Sequence, residues 1–518
     1  MPLPLPQPQS LSQPRRPGAR RPDGLPDRIR HWIAGAPACS ADGAEFDVAD
    51  PVTNTRYATA AAGGPADVDR AVAAARAAFP AWAALGTRER ASLLVRIAEA
   101  VEAREDRLAE FESFDSGLPI TQARGQARRA AENFRYFADV IVALGEEAYR
   151  VGSQQLNYVV RTPAGVAGLI TPWNTPFMLE SWKLAPALAA GCTVVLKPAE
   201  WTPLSAGLWP EILTEAGLPA GVVNIVHGAG EVAGQALVDH PDVPLLSFTG
   251  STDTGRHIMR CAADGLKALS MELGGKSPVI VFADADLSAA LDSAVFGVFS
   301  LNGERCTAGS RILVERPVYE EFVARVAERA ERVRVGAPGD PATEVGALVH
   351  PEHHARVLAY VEAGREEARL VAGGDRPAGL PEGNYLRPTV FADVPRDARI
   401  FQEEIFGPVV AIAPFDDEAE AVELANATRY GLAAYVWTGD LRRAHRMAHA
   451  VESGMVWVNS HNVRDLRTPF GGVKDSGLGR EGGAHSIDFF SETKIVHLML
   501  GEVRTPRFGA DSEEGRTP

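Results

Sequence analysis

From residue 68 to residue 148 apolar and polar positions recur with a helical period, and Ala, Arg and Glu dominate, which predicts long amphipathic helices. At Gly165 the period changes. Short apolar runs at 166–170, 193–197, 222–226, 245–248 and 268–271 alternate with helix-length segments at 178–190, 205–216, 231–240 and 252–262. Such alternation predicts a parallel sheet with crossover helices, and ligands of such sheets bind beyond the carboxyl ends of the strands. A second α/β stretch spans 276–474, with helices expected at 287–299, 318–333 and 353–367. The stretch 489–500 is apolar and strand-like. An apolar strand beside a chain end predicts pairing across a subunit interface, hence a homo-oligomer. No internal repeat is present.

The chain has 518 residues, which predicts more than one domain. A net charge of −15 argues against a nucleic-acid partner and an anionic membrane surface. It also means that an anionic substrate would need local arginines. The four cysteines, Cys39, Cys192, Cys261 and Cys306, have neither metal-ligand spacing nor disulfide density, so no metal is expected and a reducing, cytoplasmic compartment is the simpler reading. No uncharged apolar run is long enough to span a bilayer. Residues 1–30 are rich in Pro, Gln and Arg and predict a disordered tail. Residues 511–518 are expected to fray.

Chemistry concentrates in a few segments. Cys306 lies in Asn302-Gly303-Glu304-Arg305-Cys306-Thr307-Ala308-Gly309, where small and polar neighbours leave the thiol accessible; a lone cysteine is otherwise more often inert. Glu272 ends a predicted strand before Leu273-Gly274-Gly275-Lys276, a position from which a carboxylate can act as a base if burial raises its pKa, or simply face solvent. Asn174, in Thr171-Pro172-Trp173-Asn174-Thr175-Pro176, could donate to an oxyanion or cap a turn. Gly250 and Ser251 open a helix after a strand, where a phosphate can bind, although this is not the G-x-G-x-x-G fingerprint. Lys197 and Glu200 end another strand, placed to hydrogen-bond ribose hydroxyls.

These motifs, taken in order, resemble the aldehyde dehydrogenase superfamily over about residues 51–500, with the Cys306 box 34 residues after Glu272. Glu403-Glu404-Ile405-Phe406-Gly407-Pro408 and Pro469-Phe470-Gly471-Gly472 complete the set. The resemblance implies a Rossmann-like cofactor domain (31–148 and 164–275), an α/β catalytic domain (276–475) and a small β oligomerisation segment (149–163 and 487–505) of a homodimer or homotetramer. It implies Cys306 as nucleophile, Glu272 as general base, Asn174 and the Cys306 N–H as oxyanion hole, and Lys183 as an active-site lysine. It places NAD against Thr171, Pro172, Trp173, Lys197, Glu200, Gly250, Ser251, Leu273, Glu404 and Phe406. The Glu200 carboxylate, which would repel a 2′-phosphate, favours NAD over NADP.

The segments 302–311 and 462–470, Ser277-Pro278 and the ending 504–509 are similar to 5-carboxymethyl-2-hydroxymuconate semialdehyde dehydrogenases of aromatic-compound breakdown. That similarity implies a dicarboxylate substrate, with 2-hydroxymuconic, succinic and betaine aldehydes as alternatives. Arg464, Arg467 and Arg305, beside Phe470, are the expected carboxylate grips, with Arg128 and Arg129 behind them. A CoA-acylating relative is disfavoured by a base at Glu272, and a non-enzymatic relative by intact Cys306, Glu272 and Asn174.

Overall fold

The protein is described by a computed structural model covering residues 21–503, 505, 508 and 509. Most of the tail expected to be disordered, and the expected frayed end, lie outside the described residues. At the tail's end the structure differs from expectation: Arg28–Ile29 is a strand parallel to Thr55–Ala61, and Ile29 is buried in the core. Thr59 N–H donates to Asp27 O at 3.1 Å, so backbone pairing orders the chain before residue 30.

The helical stretch resolves into Pro65–Ala83, Thr87–Glu102, Glu105–Ser116 and Ile120–Ala143. Asp67 and Glu89 fold back onto the N–H groups of Gly64 and Gly86, both at 3.0 Å, which satisfies donors that the helix starts would leave orphaned. The apolar stripes meet one another: Leu94, Ile97 and Val101 of one helix and Phe134 and Phe137 of another are fully buried in one core. The helical reading runs slightly too far, because Ala148–Val151 is a strand.

The expected parallel sheet is present. Its order is Gly477–Leu478, Ala268–Glu272, Leu245–Thr249, Val166–Ile170, Thr193–Lys197, Val223–Ile225, His31–Ile33 and Ala36–Ala38. The central five are parallel, and antiparallel strands close both edges. Val166–Ile170 lies between Thr193–Lys197 and Leu245–Thr249, so chain direction across the sheet reverses beside it, the place where α/β sheets open a ligand crevice. Two expected helices are irregular. Residues 205–216 form a 3-10 turn, Ser205–Leu208, then the helix Trp209–Glu215 with Pro210 in its first turn. Residues 231–240 open as a π-turn, Gly230–Gly234, in which Ala233 and Gly234 both donate to Ala229 O.

A seven-stranded sheet follows, in the order Arg369–Ala372, Thr389–Ala392, Val409–Phe415, Arg311–Glu315, Pro278–Val281, Ala433–Trp437 and Met455–Val458. Leu287–Phe299, Tyr319–Arg332 and Pro351–Glu367 pack on it, close to the expected spans. Ser491–Met499 pairs with Gln155–Pro163, which pairs with Ala148–Val151, as a separate three-stranded sheet. Among the described residues no helix is long and apolar enough to cross a membrane.

Candidate functional site

The loop carrying Cys306 is held in an unfavourable path. Leu301, Asn302 and Gly303 all have left-handed φ, at 53°, 58° and 71°. Only glycine fits at 303, since a Cβ there would lie 2.3 Å from the Gly407 carbonyl. Asn302 secures the path: its side-chain nitrogen donates to Gly117 O (3.1 Å) and Ala347 O (3.0 Å), and its oxygen accepts from Gly346 N–H (2.7 Å). Strain kept in place by surrounding bonds is a mark of functional loops. The segment after Glu272 packs against this loop, because a Cβ at Gly275 would sit 2.6 Å from Cys306 O. The sequence-distant cysteine and glutamate motifs therefore meet.

Glu272 ends its strand fully buried, and neither carboxylate oxygen has a hydrogen-bond partner. Burial pushes its pKa well up, Glu481 adds to this, and Lys183, Arg480 and Arg464 oppose it. Cys306 is half-buried; burial, then Glu404 and Glu272, push its thiol up to about 12, against the pull of Arg305. At rest the sulfur is a thiol. Asn174 Nδ2 donates to Glu304 O at 2.9 Å. That bond fixes the amide's orientation and occupies one N–H, leaving the other beside the cysteine loop. Lys183 Nζ contacts Ser247 Oγ and Glu481 Oε1, both at 2.7 Å, and so forms a buried ion pair behind Glu272.

The crevice at the sheet reversal collects the other expected residues. Lys197 Nζ bonds Glu200 Oε2 at 2.7 Å; burial alone would raise the Glu200 carboxyl, but Lys197 overrides it and holds the pKa below the usual range. Gly250 N–H donates to Glu272 O at 3.1 Å, and Ser251 caps the helix Thr252–Ala263 by accepting from Thr254 N–H. Glu404 Oε1 accepts from Gly275 N–H at 2.9 Å, and a Cβ at Gly274 would lie 2.3 Å from its other oxygen. Burial raises Glu404 to about 7, with the Gly275 N–H opposing. Trp173 stands edge-on to Phe406, ring centres 5.2 Å apart. Leu273 packs on Gly255 of the capped helix, and Thr171 follows the central strand with its hydroxyl buried and unpartnered, just before Pro172. The Thr249 hydroxyl is also buried and unpartnered. A capped helix start, the Lys197–Glu200 pair, the Glu404 carboxylate and orphaned hydroxyls fit a dinucleotide. Among the described residues no cluster could hold a metal ion.

The arginines divide. The Arg464 guanidinium lies 4.6 Å over Trp182 and 4.7 Å over Phe470. Arg305 bonds Ser300 Oγ at 3.0 Å, and Arg129 has only Gln126. Burial, then Arg464 and Arg305, lowers Arg129 to about 9. Burial lowers Arg464 to about 10, offset by the nearby Cys306, Glu481 and Glu272. None of the three makes an ion pair among the described residues, although all lie close enough to feel one another. Arg467 and Arg128 do not join them: Arg467 is exposed and chelates Asp465, and Arg128 pairs with Glu105 on the surface. Sequence reasoning ranked Arg129 low and missed Glu481, Glu304 and His461. Glu304 lies inside the cysteine motif without a role read for it, whereas Arg129, Glu481 and His461 stand in no quoted motif and are brought here by tertiary packing.

Comparisons with known proteins bear on the family and the fold. The aldehyde dehydrogenase family model matches residues 39–496. The 5-carboxymethyl-2-hydroxymuconate semialdehyde dehydrogenase of Escherichia coli is 51% identical over 89% of this chain and 98% of its own. The 2-hydroxymuconic semialdehyde dehydrogenase of Pseudomonas sp. strain CF600 is 46% identical over 91% and 99%. The NAD+ complex of a Bacillus cereus aldehyde dehydrogenase superposes with a TM-score of 0.90, at 42% identity, over 92% of this chain and 97% of that one. The chain belongs to the aldehyde dehydrogenase family.

Proposed function

We propose that this enzyme oxidises an anionic semialdehyde from aromatic breakdown, of the 5-carboxymethyl-2-hydroxymuconate type, to the corresponding acid with NAD. The observation that carries the substrate class is the set Arg129, Arg305 and Arg464: three neighbouring guanidinium groups, two of them beside Cys306, that make no ion pair among the described residues. Unpaired buried cations are costly, and a bound dianion would neutralise them through charge-assisted bonds. The chain's net charge of −15 would otherwise repel such a substrate.

In the proposed reaction Cys306 loses its proton to solvent, and the thiolate attacks the aldehyde carbon, forming a C–S bond. Asn174 Nδ2 and the Cys306 N–H steady the oxyanion. Bound NAD supplies the acceptor for the hydride that the carbon releases. The thioester left on Cys306 is attacked by water whose proton passes to Glu272; the C–S bond breaks and the acid leaves. Burial holds the Glu272 carboxyl up, and the Lys183–Glu481 pair behind it adds two opposing influences on how readily it ionises. Lys197 and Glu200 would hold the adenosine ribose, Gly250 and Ser251 the pyrophosphate, and Glu404 the nicotinamide ribose, with Trp173 and Phe406 beside it.

Assembly into a homo-oligomer is part of the proposal. Tyr149, Val151, Ile495, Leu498 and Met499 leave apolar side chains exposed on the three-stranded sheet. Four free cysteines fit a cytoplasmic setting. The substrate reading is tested by NADH formation on a panel of dicarboxylate, monocarboxylate and neutral aldehydes. A kcat/KM at least tenfold higher for the dicarboxylates is expected, and equal values across the panel would overturn it.

A further inference from the structure

Resting on that reading, we infer that Arg305 and His461 form a second anion subsite, which recognises a carboxylate carried on a side arm next to the aldehyde. His461 is the least explained polar side chain near the nucleophile. Both of its ring nitrogens are shielded from solvent and neither has a partner. The ring is held flat on Tyr435, with centroids 4.3 Å apart, and edge-on to Phe296 at 6.1 Å. Gly297 makes room for it, since a Cβ there would fall 2.4 Å from the imidazole. Tyr435 is fixed in turn by its hydroxyl on Thr307 O at 2.7 Å. The imidazole is thus rigidly placed, yet uses neither its donor nor its acceptor, and an unmade pair of buried bonds calls for a ligand.

Arg305 lies beside it. It follows Glu304 and precedes Cys306 in the chain, and Ser300 Oγ takes one of its five N–H donors. Burial, followed by Arg305 itself, lowers the His461 pKa to about 3, so the ring is neutral and keeps one N–H to donate and one lone pair to accept. A guanidinium fork and a neutral N–H match the four lone-pair sites of a carboxylate. Asn462, the next residue, leaves its side-chain oxygen buried and unpartnered as well. This set adjoins the nucleophile itself. Arg464, stacked on Trp182 and Phe470, approaches the nucleophile from the segment 463–467 instead.

The two poles differ in what they can reach. The first relative's name describes a carbon chain with an aldehyde at one end, a carboxylate at the other and a carboxymethyl arm on the carbon next to the aldehyde; the second relative's substrate lacks the arm. In the inferred binding mode, with the aldehyde carbon on Cys306, the arm is held by Arg305 and His461 and the far carboxylate by Arg464. Arg305 and His461 would therefore set the preference between branched and unbranched semialdehydes, and Arg464 with Arg129 the preference of both over neutral ones.

The test compares wild type with Arg305→Gln, Arg305→Lys, His461→Phe and His461→Asn on the branched semialdehyde and on 2-hydroxymuconic semialdehyde. The expected result is a drop of roughly 10- to 100-fold in the branched-to-unbranched ratio of kcat/KM for Arg305→Gln and His461→Phe, mainly through KM, which is the range set by losing a hydrogen bond to a charged group. Arg305→Lys and His461→Asn should recover part of it. A ratio unchanged in all four variants would overturn the subsite, because a variant that merely misfolds lowers both substrates alike. If the wild type showed no preference for dicarboxylates at all, the broader substrate reading would fail instead.

Discussion

Asn174 shows how one bond can assign an amide its task. Because Nδ2 donates to Glu304 O, the amide cannot flip, and its second N–H is available to a developing oxyanion. Asn174→Ala should lower kcat by about 100- to 1,000-fold with little change in KM, measured by steady-state NADH formation. Glu272→Gln should separate the two halves of the reaction: stopped-flow would record close to one equivalent of NADH per site, followed by a steady state slower by about 100-fold or more, since the thioester forms but hydrolyses poorly. A full steady-state rate would rule out the hydrolytic role of Glu272. Cys306, Glu272 and Asn174 became candidates in the sequence through the ordered set of motifs and the family it resembles; each segment alone read as well as an inert cysteine, a solvated acid or a turn cap. Arg129, His461 and Glu481 stand in no such motif. A histidine whose two nitrogens lack partners looks, in sequence, like any other histidine.

Elements were legible where period and length agreed. Leu287–Phe299 and Val166–Ile170 fell where expected, whereas the Gly-rich start at Gly230 and the proline at 210 broke helices that apolar spacing alone predicted to be continuous. Packing between elements also places ionisable groups that no pattern announces. Arg311 begins a strand of the second sheet fully buried and donates to Lys276 O (2.8 Å), Leu424 O (2.8 Å) and Ala425 O (2.9 Å), so one side chain caps the helix Glu418–Asn426 and ties it to the segment after Glu272. Arg311→Met should lower unfolding stability by about 3 kcal/mol in urea titrations, because three buried carbonyls lose their donor. Glu180, on the helix Pro176–Ala190, sits near Glu112 and Asp115, and burial, against a bond from Trp209, raises it to about 8. The unfolded chain loses this proton near pH 4.5 while the folded chain keeps it to about pH 8, so stability falls as pH rises across that window. Glu180→Gln should flatten that decline: the variant's thermal midpoint gains on wild type as pH goes from 5 to 8, and a gain in the opposite sense would contradict the assignment.

At the scale of the molecule, the separate three-stranded sheet has little of its own core, and it leaves Ile495 and Leu498 exposed. Ile495→Lys combined with Leu498→Glu should shift the particle to monomer mass in light scattering, while an unchanged mass would place the interface elsewhere. The two α/β stretches expected from the sequence each carry a sheet, but the pattern gave no sign of how the sheets are joined. The strand Gly477–Leu478 comes back from beyond the second sheet and lies antiparallel along Ala268–Glu272, pairing Gly477 with Glu272 itself. A gene divided between codons 275 and 276 would therefore yield a first fragment whose sheet ends in a bare edge at the proton-accepting carboxylate. Such fragments should recover activity only when expressed together, the later one supplying the missing border from outside.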